Sequence, residues 1–111
     1  MCSMSQTVVI EKQAGASHWS SITVGEEKYQ MEIIHSDDNN FDALLHKGSE
    51  VQAGGRLAVI SKIHNTCLIN MYTGQEGSGV AVTIERKLLH DILDITDKLF
   101  EGNPVTQYRF R

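Results

Sequence analysis

The fifteen residues "GVAVTIERKLLHDIL" (79–93) open as a strand and close as a helix, with no loop between. In "VAVTI" (80–84), Val80, Val82 and Ile84 fall on one side, the period of a half-buried strand. The period then changes. Leu88, Ile92, Ile95 and Leu99 form one row at three- and four-residue spacing, with Leu89, Leu93 and Phe100 beside it. Lys87, Asp91, Asp94, Lys98 and Glu101 take the wet side. Gly102 and Pro104 stop the helix. A helix over 85–101 that turns straight back from a strand covers that strand's apolar side, and compact domains use such short connections often. Leu88, Ile92, Ile95 and Leu99 are expected to bury against a sheet face lined by Leu57, Val59, Ile69, Val80 and Val82.

Upstream of the junction the pattern is strand after strand. "TVVIEKQ" (7–13) is rich in β-branched residues, and "HWSSITV" (18–24) and "KYQMEIIH" (28–35) flank the short loop "GEE". Tyr29, Met31 and Ile33 share a face. "SDDNN" (36–40) is a polar break. "FDALLHKG" (41–48) reads as one or two helical turns, with Asn40 as N-cap and Gly48 as stop. "GRLAVISKIH" (55–64) and "TCLINMY" (66–72) are strands joined by a tight turn at "HN". In the first, Leu57, Val59 and Ile63 share one face and Arg56, Ile60 and Lys62 the other; in the second, Cys67, Ile69 and Met71 are opposed by Asn70 and Tyr72. "TGQEGSG" (73–79) is a loop, and "VTQYRFR" (105–111) alternates as a final strand or an exposed arm. The expected fold is α+β: an antiparallel β-sheet with one long C-terminal helix packed on one face and a short helix between the strand groups. The 111 residues make one domain, with 1–5 a disordered N-terminal tail.

Composition narrows the function classes. The chain is 41% apolar and 22% charged, the balance of a globular domain. No apolar run approaches the roughly 20 residues of a membrane span, and "MCSMSQTVV" lacks the pattern of a secretory signal. Cys2 and Cys67 do not make a disulfide framework, so a cytoplasmic location is expected. A net charge of −4 argues against a surface that grips nucleic acid all over, though not against a local basic face.

Residues 56–93 carry a second reading. "CLINMY" followed by a Gly-rich loop and "GVAVTIE" running into a helix resembles the PC4-like single-stranded-DNA-binding transcription cofactors. In those domains a "LIDIR"-type strand, a loop and a "GITL"-type strand lead into an acidic helix start. The resemblance implies twisted antiparallel strands followed by a long helix, single-strand binding without catalysis, and a homodimer. The chain departs from the pattern in its cations: only Arg56, Lys62 and Arg86 or Lys87 stand where the family carries several, and Met71-Tyr72 replaces its arginine.

A groove for a single strand needs basic side chains for phosphate and aromatic faces for bases. By strand parity the face opposite the helix presents Arg56, Lys62, Asn70 and Tyr72, and the last segment adds Tyr108, Arg109, Phe110 and Arg111. The same residues also suit the outward side of an ordinary half-exposed sheet. The competing expectation is a small acidic protein-binding regulator, an inhibitor, adaptor or immunity-type protein, acting through an exposed sheet face or edge.

Catalytic chemistry is not expected, nor a metal or cofactor. His18, His35, His46, His64 and His90 have no His or Cys partner at i+2, i+3 or i+4, unlike structural zinc ligands. "SDDNN" lacks the spacing and distal Glu of a calcium loop. "TGQEGSG" precedes a strand, not the helix N-terminus of a phosphate cradle. Cys67 has no activating neighbour in sequence and reads as a small core residue, with a Cys-His enzyme as the third alternative.

Overall fold

The computed structural model describes residues 7–48, 56–72, 86–101 and 105–110. Among them, seven strands form one sheet: β1 (Val8–Gln13), β2 (Ala16–Val24), β3 (Glu27–Ser36), β4 (Asn40–Lys47), β5 (Arg56–Ile63), β6 (Thr66–Met71) and β7 (Val105–Phe110), in that spatial order. The first six make an antiparallel meander. β7 runs parallel to β6, and α1 (Arg86–Leu99) lies in the crossover that parallel pairing requires.

The fold is therefore mostly β, and the α+β expectation is corrected in two places. Residues 40–47 are a strand between β3 and β5, not a short helix. Phe41, Leu44 and Leu45 have helical spacing, but Ala43 and Leu45 alternate inward just as well, and a run this short satisfies both periods. Two long neighbours with open hydrogen-bonding edges decide it. Gly48, at φ 92°, ends that strand and gives its N–H to the Lys28 carbonyl. The second correction concerns the helix. It has 14 residues and does not form a layer over one face of the sheet; its closest backbone approach is to β1 and β2.

Ile92 and Ile95, both 0% exposed, join one core cluster with sheet residues. Those residues share a face: Ile22 and Val24, Tyr29 and Met31, Ala43 and Leu45, Ala58 and Ile60, then Cys67, Ile69 and Met71. Register explains the grouping, since Ile22 opposes Tyr29, Met31 opposes Leu45, Leu45 opposes Ala58 and Ile60 opposes Ile69. Parity in β5 is the reverse of that expected. Ala58 and Ile60 are buried, Leu57 and Val59 are half-buried on the other face, and Ile63 is exposed.

Asp91 departs from its expected wet position. It is fully buried, accepting from the Tyr29 hydroxyl at 2.5 Å and from Lys87 Nζ at 2.6 Å. Burying a carboxylate is tolerated only with such partners. The expected tail at 1–5, the loop at 73–79 and the strand at 80–84 lie outside the described residues. No helix among the described residues is long and apolar enough to cross a membrane.

Candidate functional site

The face opposite the core carries what the packing does not consume. In β2, Ser20, Ile22 and Val24 point inward, so Trp19 points outward. In β4, Leu45 points inward, so His46 points outward. Their rings are 5.6 Å apart at 39°, and the His18 and Trp19 ring centroids are 6.0 Å apart. A register shift follows Leu45, so His46 opposes Arg56 and not Leu57. Arg56 in turn places its guanidinium 5.5 Å from the ring centroid of Tyr72. That residue is anchored by its N–H to the Leu57 carbonyl.

The result is a stripe, Trp19, His46, Arg56 and Tyr72. It crosses from β2 to the end of β6, roughly 19 Å at ordinary strand spacing. Arg56 and His18 are exposed, and Trp19 and Tyr72 half-buried. Beside the stripe lies a row in register: Glu32, Leu44, Val59, Asn70 and Arg109. Among the described residues, two hold buried side-chain polar atoms without partners: both ring nitrogens of His46 and Oδ1 of Asn70. Burial lowers the His46 pKa, with Glu32 opposing that shift and Arg56 adding to it.

Of the residues expected from sequence, Arg56, Asn70, Tyr72 and Arg109 come together on this outer face. Lys62 and Tyr108 do not join them. Lys62 opposes Phe41 and Cys67, and its amine sits 5.7 Å from the Phe100 ring on the helix side. There it borders a cleft of about 240 Å³ formed with the Ser36–Phe41 turn, His64 and the end of α1. Tyr108 opposes the core residue Ile69, and burial first, then Cys67 and Asp97, push its phenol up. Lys87 is engaged with Asp91. The Phe110 side chain and Arg111 lie outside the described residues.

Sequence reasoning missed Trp19 and His46. Trp19 was legible, since the Ile22 and Val24 parity already sends it outward. His46 was hidden by the helical reading of 41–48. Among the described residues no three His, Cys, Asp or Glu side chains converge as metal ligands would. Cys67 is buried, and burial raises its thiol pKa, the opposite of what activates a nucleophile. Comparison with known proteins returned no matching family, no similar curated protein and no similar solved structure.

Proposed function

We propose that this chain is a non-catalytic binding module for single-stranded nucleic acid, which crosses the outer face of the sheet along the stripe from Trp19 to Tyr72. One observation carries the reading: two ring contacts, Trp19–His46 and Arg56–Tyr72, lie side by side on the outer face, joined by the backbone pairing of His46 with Arg56. Single strands are held by that combination of stacking faces and phosphate-seeking cations. Arg56 and Arg109 contact phosphate, Trp19 and Tyr72 stack on bases, and Asn70 lies beside Arg109 on the adjoining row. The module works in the cytoplasm as an accessory to transcription or replication. It forms a homodimer, for which β7 is the natural edge, since it ends the sheet among the described residues and exposes Val105 at 65%.

A second reading is supported by charge. The chain is acidic, at −4, and Glu11, Glu32 and Asp42 share the outer face with the stripe. On that reading the same surface receives a protein partner and the chain acts as a regulator. A labelled oligonucleotide titrated with the full chain separates the two. Anisotropy should rise at about 50–100 mM salt and collapse steeply as salt increases. No binding at tens of micromolar protein, with a stoichiometric protein partner recovered on the same face, establishes the second reading. Light scattering decides the dimer, at twice the 12.4 kDa chain mass or not.

A further inference from the structure

His46 is 6% exposed, yet neither Nδ1 nor Nε2 has a hydrogen-bond partner among the described residues. Nearly all buried polar groups in folded proteins are paired, so an imidazole with both nitrogens orphaned asks for a reason. An aliphatic side chain fills such a site without that penalty. Its surroundings supply one. From β2 the Trp19 ring lies against it, with the His18 ring 6.0 Å from the indole. From β3 comes Glu32, whose charge favours an imidazolium; Lys28 occupies a further outward position on that strand. From β5 comes Arg56, whose charge opposes one. The ring is thus held neutral by burial, with a carboxylate nearby for the charged form.

We propose that His46 is a proton-operated latch on the outer face: neutral, its ring stays beneath Trp19; protonated, it leaves the buried site toward Glu32 and solvent, frees the indole face and adds a second cation beside Arg56. The first half stands on the geometry of the free protein. The consequence for binding rests on the single-strand reading: acidification strengthens the grip on a polyanion, and by linkage a bound strand raises the proton affinity of His46. Binding therefore tightens between pH 7.5 and pH 5.5, tenfold for each unit by which a bound strand raises that affinity.

Trp19 is the only tryptophan in the chain, so indole emission reports this site alone. Departure of the His46 ring changes the surroundings of the indole and so its emission, and the nearby His18 ring is removed as a second influence by H18Q. Emission of the H18Q chain, titrated from about pH 8 to about pH 5, should change with a midpoint below the ordinary histidine value of 6.5, while far-UV circular dichroism stays constant. The change should vanish in H18Q/H46Q. Since H46Q can itself disturb the packing, ring-proton resonances of wild type are titrated as well; one histidine should titrate below 6.5 together with the indole resonance. Absence of such a histidine, or emission indifferent to H46Q, overturns the latch. A transition that leaves oligonucleotide affinity unchanged or weaker in acid also overturns the proposal. No oligonucleotide binding at any pH defeats the single-strand reading instead, and the emission titration then decides the latch by itself.

Discussion

The two faces of the sheet use the same strands for opposite purposes. On the inner face Ile22, Val24, Met31, Leu45, Ala58, Ile60 and Ile69 are at most 1% exposed, and the residues they oppose across the strands are nearly all apolar. On the outer face Trp19, His46, Arg56, Asn70 and Tyr72 interleave rings, charges and amides, and polar atoms are left buried and unpaired. The inner face asks only for volume and hydrophobicity, which many sequences supply. The outer face spends stability on groups that packing does not need. Natural sequences tolerate such local conflicts mainly where function requires them.

If the division is real, substitutions on the two faces separate stability from binding. The largest effect belongs to the inner face. Ile92 is 0% exposed within the core cluster, so Ile92→Ala should cost about 2–5 kcal/mol of folding stability. Urea unfolding measures it, and a loss below about 0.5 kcal/mol would remove α1 from the core. At urea-free conditions where the variant remains folded, its oligonucleotide affinity should equal that of wild type.

The outer face should show the converse. Tyr72→Ala and Trp19→Ala each remove a half-buried stacking ring. Each should weaken single-strand binding by roughly 5- to 150-fold, the equivalent of about 1–3 kcal/mol per stacked base. The urea midpoint should move far less than in Ile92→Ala. Equal losses of stability in all three variants would mean that the outer rings are part of the core, and the contrast between the faces would disappear.

Sequence reading recovered each face in part, for a physical reason. Of the inner face expected at Leu57, Val59, Ile69, Val80 and Val82, Ile69 is buried there, Leu57 and Val59 lie on the other face, and Val80 and Val82 lie outside the described residues. Strands β1, β2, β3, β5 and β6 were legible because β-branched and aromatic residues alternate over six or more positions. The grouping of Tyr29 with Met31, and of Cys67 with Ile69 and Met71, was legible for the same reason, and all five are buried. Parity failed in β5, where "RLAVISKI" has apolar residues on both faces. Ala58 and Ile60 won the inner positions because their register is set by Leu45 and Ile69 on the neighbouring strands. That single inversion carried Lys62 to the helix side and Val59 to the outer face. The register shift after Leu45, invisible without the partner strand, then returned Arg56 to the outer face beside His46. Asp91 was misplaced because its two partners lie on different elements, Tyr29 on β3 and Lys87 one helical turn away.

The faces should also differ in their response to acid. The His46 pKa is lowered in the folded chain, so between the lowered value and 6.5 the unfolded chain binds more protons than the folded one. Folding stability should therefore be complete above about pH 6.5 and decline as pH falls below it. The decline levels off once pH is below the folded-state value. His46→Leu should flatten that window in urea titrations, whereas Ile92→Ala should lower the whole curve without changing its shape. A window that survives His46→Leu would assign the acid sensitivity to another group.

The smallest effect is the sharpest discriminator, because it compares two cations on one strand. Arg56 and Lys62 are six residues apart in β5, and uniform alternation puts them on one face. The register shift breaks that alternation: Arg56 joins Tyr72 on the outer face, and Lys62 joins Phe41 and Phe100 on the helix side. A lysine or arginine that neutralises one phosphate of a single strand contributes about 0.7 to the slope of log affinity against log salt. Arg56→Ala should lower the slope by about that amount. Lys62→Ala should leave both the slope and the affinity unchanged, since its amine is separated from the stripe by the thickness of the sheet. Both substitutions change the net charge of the chain equally, so a long-range electrostatic effect would move them together. If Lys62→Ala lowers the slope as much as Arg56→Ala does, the strand does not lie along Trp19, His46, Arg56 and Tyr72, and the helix-side cleft beside Lys62 becomes the surface to test.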